Sequence, residues 1–233
     1  QDNGAFGADS DSSLESLLTE LSHLEGDFRL RVGMLNPMLV AGRSEKMARA
    51  WSDNRIYKFM HLPIQSGSQK MLDAMLRDHT LDDFWEVVDT FRYRYPEMMI
   101  TTDIITGFPG ETDEDHQATI ELLRHLLPDL VNITRFSPRT GTPAAKYKRL
   151  NGKIVKNRSR ELTTLRQELG AKSFKRFVGR KTSVLSIENQ RPGSTLCRDD
   201  NYRPIIVKKE LPLGEFYDVE IIASEYAFLT AVL

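Results

Sequence analysis

Cysteine is nearly absent from this chain: Cys197 is the only one in 233 residues. A lone thiol forms no intrachain disulfide, and no zinc or iron–sulfur centre of the usual multi-cysteine kind can be built on it. Histidine is thin as well, and His23, His61, His79, His116 and His125 are too scattered to be spaced as metal ligands. No apolar run approaches the roughly 18 residues that a membrane span needs. The opening Gln1, Asp2 and Asn3 lack the basic-then-apolar layout of a signal peptide. A cytoplasmic protein without a membrane partner is the expectation. Internal repeats and low-complexity tracts are missing too.

What is present suffices for one good core and a small second unit, with 40% hydrophobic and 28% charged residues. The formal net charge of -1 hides an asymmetry. Residues 1–145 hold 14 basic against 23 acidic side chains, whereas residues 146–182 hold 13 basic ones against only Glu161 and Glu168. Such a block is either a solvated helix face or a surface for a polyanion. On the second reading Lys153, Lys156, Arg160, Lys172 and Arg176 are the candidate RNA contacts.

Four apolar runs, Leu30 to Leu35, Tyr57 to Leu62, Met99 to Thr106 and Leu130 to Phe136, read as strands with helical segments between them. That is the βαβ rhythm of a parallel sheet. Each run empties into a short polar motif: Asn36-Pro37, Gln65-Ser66-Gly67-Ser68, Gly107-Phe108-Pro109-Gly110-Glu111 and Ser137-Pro138-Arg139-Thr140-Gly141-Thr142. Loops at the carboxyl ends of parallel strands are where such sheets place their chemistry.

Between these runs the pattern predicts helices over about 11–23, 43–52, 66–76 and 80–95, and another after Thr112. Ser66 with Gln69, Thr80 with Asp83 and Thr112 with Asp115 have capping-box spacing. The basic segment is helical from about Lys153 to Phe177 and stops at Gly179. Beyond it, short β runs at Thr182 to Ile187, Tyr202 to Val207, Phe216 to Ala223 and Ala227 to Val232 suggest a small closed barrel of the OB type. The expected organisation is therefore 1–150, 151–180 and 181–233: an α/β unit, a basic connecting helix and a small all-β barrel. The open edge of a cut parallel sheet invites pairing, so a homodimer is also expected.

Alternation within Met99 to Thr106 puts Thr101, Asp103 and Ile105 on one face. Arg31 and His61 fall on the corresponding faces of their own runs. Three polar groups in a barrel lumen cost several kcal/mol unless paired, so they either pair with one another or face a charged ligand. Gln65 precedes a helix start, where its amide can donate and accept. Ser66 reads as the cap, and the N–H groups of Gly67 and Ser68 suit a carboxylate or phosphate. Phe108 offers a ledge to an aromatic ring, and Arg139 a bidentate fork to an anion.

The ordered segments Arg31-Val32-Gly33-Met34-Leu35-Asn36-Pro37, His61-Leu62-Pro63-Ile64-Gln65-Ser66-Gly67-Ser68, Thr102-Asp103-Ile104-Ile105-Thr106-Gly107-Phe108-Pro109-Gly110-Glu111-Thr112 and Ser137-Pro138-Arg139-Thr140-Gly141-Thr142-Pro143-Ala144 together resemble the radical S-adenosylmethionine methylthiotransferases. The form with Arg31 to Pro37 is most similar to the archaeal and eukaryotic branch, which acts on threonylcarbamoyladenosine beside the tRNA anticodon. Gln1 to Gly7 resembles the family's loop after its third barrel strand, and residues from about Thr182 onward resemble its terminal RNA-binding TRAM domain.

The resemblance implies a radical SAM partial (β/α) TIM barrel followed by a TRAM barrel, S-adenosylmethionine as cofactor and tRNA as partner. It implies cofactor contacts from Gln65, Ser66, Asp103, Phe108 and Arg139, the last facing either cofactor or RNA. The family's Cys-x-x-x-Cys-x-x-Cys motif and N-terminal domain have no counterpart here, so iron–sulfur clusters are expected only in a longer parent enzyme, of which this is the carboxyl-terminal part. Two alternatives stand beside this reading: an RNA-binding module without catalysis, and a methylthiotransferase acting on a ribosomal protein. A complete phosphate-binding barrel enzyme fits poorly, because no Lys occupies a strand end.

Overall fold

The structure, a computed structural model, describes residues 2–233, with Gln190 and Arg191 described by their backbone alone. Gln1, the first residue of the expected N-terminal loop, lies outside the described residues. Asp2 caps a 3-10 turn, Asn3–Ala5, by accepting from the Gly4 N–H. Helix α1 (Leu14–Leu21) starts at a capping box made by Ser13 and Ser16. Asn36 and Pro37 then open the short α2 (Pro37–Val40), with Asn36 accepting from the Met38 N–H. After α3 (Ser44–Ala50) come β1 (Phe59–His61), α4 (Gln69–Ala74), α5 (Leu81–Arg94), β2 (Met99–Thr106), α6 (Asp113–Leu126) and β3 (Leu130–Arg135).

The three strands form a parallel sheet in the order β1-β2-β3. Thr80 with Asp83 and Thr112 with Asp115 make the expected capping boxes on α5 and α6. One face of the sheet is closed by helices. Met60, Leu62, Ile100 and Ile104 are buried there among Phe84, Phe91 and Leu123, and Trp51 meets Phe91 edge to face at 5.4 Å.

Two expectations are corrected. Leu30 to Leu35 lies beside β1 in the parallel sense but joins it only through isolated bridges, Leu30 to Ile56 and Met34 to His61. Between those bridges the β1 side advances one residue more than its neighbour, which is a bulge and breaks a continuous ladder. The irregularity falls at Lys58, whose N–H donates to the Asp200 carbonyl at 2.8 Å while Phe59 turns back onto the Tyr57 carbonyl. On the outer side of this segment, Asn3 donates its N–H to the Met34 carbonyl and accepts from the Gly33 N–H through its side chain, covering part of the edge.

Ser66 is also not the cap of α4. The N-cap is Ser68, without a side-chain bond, and Gln69 instead accepts from the Leu81 N–H. The cause is tertiary. Gly67 lies so close to α6 that a Cβ there would sit 2.5 Å from the Ala118 carbonyl oxygen, and its N–H donates to Thr119 Oγ1 at 3.0 Å. The Ser68 N–H goes to Ser66 Oγ. Neither N–H is left for the carboxylate or phosphate that the sequence suggested.

A second 3-10 turn, Pro143–Lys146, leads to α7 (Gly152–Lys175), which Asn151 caps by accepting from the Lys153 N–H. This helix packs on α6 and β3 and buries Leu162, Leu165 and Leu169 in the sheet's core. Five strands follow: β4 (Lys181–Arg191), β5 (Ser194–Arg198), β6 (Pro204–Val207), β7 (Phe216–Ser224) and β8 (Leu229–Val232). They close into a barrel in the order β4-β5-β6-β8-β7, with β6 and β8 parallel and the other neighbours antiparallel. The expected strand from Tyr202 begins at Pro204 because Tyr202 takes a left-handed φ of 65°.

The barrel's core of Val184, Cys197, Ile205 and Leu229 runs on into Tyr57, Phe59 and Met99, so the barrel sits against the amino ends of β1 and β2. Gly170 allows the approach of the β7–β8 turn to α7, since a Cβ there would meet the Tyr226 carbonyl oxygen at 2.0 Å. The buried ion pair of Arg203 with Asp199 completes the seam, with Arg203 also donating to the Glu97 carbonyl and standing over the Phe177 ring. Among the described residues no helix is long and apolar enough to cross a membrane.

Candidate functional site

The face of the sheet opposite the helices carries a polar row beyond the part that the small barrel covers. Register pairs His61 with Thr101 and Asp103 with Asn132, and alternation puts all four on the face opposite the helices. His61 Nε2 lies 2.9 Å from Asp103 Oδ1, and Asn132 donates to the same oxygen at 2.8 Å. Burial pushes the Asp103 carboxyl up, but the hydrogen bonds from His61 and Asn132 outweigh it and hold the group below the usual carboxylate value. Asp103 Oδ2 has no partner among the described residues. Arg31, the third polar residue expected in this lumen, does not join the pair. It stands over the rings of Phe59 and Tyr202, 5.1 Å from each centroid.

Gln65 sits one step above this row. Its N–H donates to the Asp103 carbonyl and its own carbonyl accepts from the Ile105 N–H, so backbone bonds fix it against the end of β2. Its φ of 73° is left-handed, which costs a non-glycine residue about 1–2 kcal/mol. The side-chain amide of this residue, only 8% exposed, has no hydrogen-bond partner among the described residues. A strained backbone presenting an amide that no other side chain or backbone group claims is arranged for something other than stability. Ser66 is used differently: its hydroxyl is buried beside Thr119 of α6 at 3.4 Å and supports the turn from behind.

Beyond the row, the strand ends open into a cleft of about 450 Å³. Phe108 and Arg139, both expected from the sequence, line it together with Arg77, Arg135, Phe136 and Tyr147. Ile105 joins the cleft to the Asp103 face. Phe108 meets Phe136 at 4.9 Å in a tilted edge contact. Aromatic faces beside guanidinium forks suit a planar ring bearing an anionic group.

The loop that presents Phe108 is clamped from α7. The Glu111 carboxylate accepts from the Gly107 N–H at 2.8 Å and from Arg158 at 2.7 Å, and Arg158 also reaches Asp113 at 2.6 Å. Val155 closes on Gly107 from the same helix. Arg158 is thus an interior cation within the basic run, which its position in the sequence does not reveal. Asn132 was missed as well, although the alternation that singled out Asp103 applies equally to β3.

The five expected RNA contacts do not form one patch. Lys153, Lys156 and Arg160 are exposed on the first half of α7, nearest the cleft. Lys172 and Arg176 lie roughly 20–35 Å farther along at 1.5 Å per residue. There they line a second cavity, of about 290 Å³, with Arg92 and Asp129. The last turns of α5, α6 and α7 meet at that cavity, and cations there offset the partial negative charge of helix ends.

A family model described as the Radical SAM superfamily matches residues 9–123. A protein of Archaeoglobus fulgidus called probable threonylcarbamoyladenosine tRNA methylthiotransferase is 43% identical over 234 residues, covering 100% of this chain and 55% of that protein. The human threonylcarbamoyladenosine tRNA methylthiotransferase is 34% identical over 233 residues, covering 98% of this chain and 40% of the human protein. Among solved structures, coproporphyrinogen III oxidase of Escherichia coli, a radical SAM enzyme, superposes with a TM-score of 0.52 at 17% identity, over 67% of this chain and 36% of the other. That last likeness concerns the fold alone. The chain, spanning about half the length of the curated relatives it matches, belongs to the radical S-adenosylmethionine methylthiotransferase family.

Proposed function

We propose that this chain is the carboxyl-terminal part of a tRNA methylthiotransferase that adds a methylthio group to C2 of N6-threonylcarbamoyladenosine beside the anticodon. The observation that carries the reading is the meeting of the Asp103 row and the Phe108–Arg139 cleft at the strand ends, in a chain 43% identical throughout to a protein so named. On this reading residues 1–150 complete a radical SAM partial barrel, 151–180 connect, and 181–233 are a TRAM domain. The barrel order β4-β5-β6-β8-β7, with one parallel neighbour pair, supports an OB-type connectivity for that last unit. The setting is cytoplasmic, and the chain alone is inactive.

The residues present fit S-adenosylmethionine. The unsatisfied Gln65 amide and Asp103 Oδ2 are ready for its polar groups, and Phe108 and Arg139 for its ring and carboxylate or for the substrate's anionic side group. When bound and cleaved in the whole enzyme, this cofactor supplies the oxidising equivalent and the methyl group. The chain's own part is to bind and orient. His61 and Asn132 keep Asp103 ionised as an acceptor, and Arg158 through Glu111 holds the loop that carries Phe108.

The residues do not fit an iron–sulfur cluster. Among the described residues no three His, Cys, Asp or Glu converge, and Cys197 is buried in the small barrel with its thiol pushed up to about 11 by burial. Such clusters are assigned to cysteines of the parent enzyme outside this chain. Lys153, Lys156 and Arg160, then Lys172 and Arg176, are the tRNA contacts of the proposal. The test is anaerobic expression of the whole reading frame, followed by nucleoside analysis of tRNA. Methylthiolated threonylcarbamoyladenosine is expected, and a reading frame without the three-cysteine motif sinks the proposal.

A further inference from the structure

At the seam between the parallel sheet and the small barrel, Tyr202 is wedged against Tyr57 at 4.9 Å and Phe59 at 5.1 Å. Its left-handed backbone, with φ of 65°, turns the β5–β6 loop into this position. Two guanidinium groups stand over the same ring, Arg198 at 4.1 Å and Arg31 at 5.1 Å from its centroid. They are therefore no more than about 9 Å apart. Like charges so placed repel, yet no carboxylate pairs with either among the described residues. Asp199 is committed to Arg203, and the nearby Asp200, at 3.7 Å, to Arg29. Arg198 gives one N–H to the Tyr202 carbonyl, and its Nε is buried without a hydrogen-bond partner among the described residues. Burial first, and Arg31 among the smaller causes, lowers the pKa of Arg198. A buried guanidinium donor without a partner, beside a second guanidinium that no carboxylate neutralises, would be stabilised by an anion.

We propose that Arg31 and Arg198, stacked on Tyr202, form a binding site for a phosphate of the RNA backbone at the seam of the two units. The inference rests on the tRNA reading above and goes beyond the basic helix, since neither arginine lies on α7. A guanidinium over an aromatic ring keeps N–H groups for two phosphate oxygens at about 2.8 Å, and exposed Arg31 is the one that presents them to solvent. Aromatic and basic side chains interleaved along a groove are also how single-stranded nucleic acid is held. Arg31 is exposed and opens the site to solvent, whereas Arg198 is partly covered. Because one arginine comes from the sheet unit and one from the barrel, a bound phosphate would also fasten the units together.

The test uses the full chain and unmodified tRNA, with binding measured from 50 to 300 mM salt. The variants are Arg31→Gln, Arg31→Lys and Arg198→Gln, with Lys208→Gln as an exposed control away from the site. Arg31→Gln is expected to weaken binding about tenfold at low salt and to lower the salt slope by about one. Arg31→Lys should recover only part, and Lys208→Gln should change little. Thermal melts accompany each variant. Arg31 is exposed and its removal relieves repulsion, so that variant stays folded even if Arg198→Gln does not. In parallel, pyrophosphate is titrated while the arginine Nε–Hε resonances are followed by NMR, and those of Arg31 and Arg198 should shift together. Wild-type chain that binds no tRNA overturns the tRNA reading itself. Wild-type binding matched by Arg31→Gln overturns this inference alone. A pyrophosphate shift with unaltered tRNA affinity also overturns it, making the site one for a different anion such as a protein carboxylate.

Discussion

Arg158→Met should be among the most damaging single substitutions in the chain. The side chains of Arg158 and Glu111 are 7% and 5% exposed, and their 2.7 Å contact is the centre of the clamp on the Gly107–Glu111 loop. Removing the guanidinium leaves a buried carboxylate whose remaining hydrogen bond on the same oxygen is the Gly107 N–H. Stranding one partner of a buried pair costs about 3–5 kcal/mol, and the surviving N–H places this case near the lower end, about 3. Asp113, the other partner, is 93% exposed, so Asp113→Asn should barely register. Adding Glu111→Gln to Arg158→Met removes the stranded charge and should return part of the loss, an interaction of about 1.5 kcal/mol or more in a double-mutant cycle. Urea unfolding followed by the fluorescence of Trp51 and Trp85, both in the sheet unit, reads these differences as midpoint shifts at constant slope. A loss below about 1 kcal/mol for Arg158→Met would mean that the pair behaves as a solvent-screened surface contact, and the clamp would have to be abandoned.

Other outcomes follow from the same packing. Gly170→Ala drives a methyl group to 2.0 Å from a backbone oxygen of Tyr226, so the barrel must shift on α7; a loss of about 1–3 kcal/mol in thermal or urea unfolding is expected, and an unchanged melt refutes the close docking. Asp115 supplies a pH test. Burial pushes its carboxyl up, but Lys70, the Thr112 N–H and Ser68 together hold it far below the ordinary value of 3.8. A folded-state pKa below the unfolded one gives stability that is present in full above about pH 4 and lost as pH falls through the lower folded value. Melting temperatures between pH 6 and 2 should fall less steeply for Asp115→Asn than for wild type, and parallel curves would contradict the assignment. Gln65→Gly removes backbone strain, so stability should hold or rise by up to about 1 kcal/mol. Equilibrium dialysis with the whole enzyme should show weaker S-adenosylmethionine binding for the same variant; a glycine variant with full affinity removes Gln65 from the cofactor's contacts.

Local rules served the sequence reading wherever tertiary contacts left them alone. Met99–Thr106 is a strand over the expected residues because six of its eight residues are β-branched Ile or Thr, which suit extended backbone. Thr80 with Asp83 and Thr112 with Asp115 became capping boxes as their spacing implies. Ser66 with Gln69 has the same signature and failed, because α6 lies against Gly67 and Thr119 competes for its N–H. A four-residue motif contains no trace of a helix fifty residues downstream. The Leu30 to Leu35 run failed as a continuous strand for a similar reason: Lys58 turns its N–H toward Asp200 of the barrel, a partner more than a hundred residues away.

The candidate site divides along the same line. Asp103 with His61 follows from two-residue alternation plus the cost of isolated lumen charges, and their 2.9 Å contact is the pairing that cost demands. Phe108 and Arg139 meet in one cleft because both follow strands of one parallel sheet. The basic segment was harder, since thirteen cations in thirty-seven residues look alike in one dimension. In three dimensions α7 gives them different work along its length. Arg158 faces inward because Glu111, forty-seven residues earlier, is buried and needs a cation. Lys153, Lys156 and Arg160 face solvent on the first half of the helix, and Lys172 and Arg176 attend the converging helix ends and Asp129. A charge run is therefore a surface only for those members that no buried carboxylate or helix terminus has claimed. Arg31 and Arg198, which no carboxylate pairs among the described residues, lie outside the run, one in the sheet unit and one in the barrel, while Arg166 within it keeps a buried Nε without a hydrogen-bond partner.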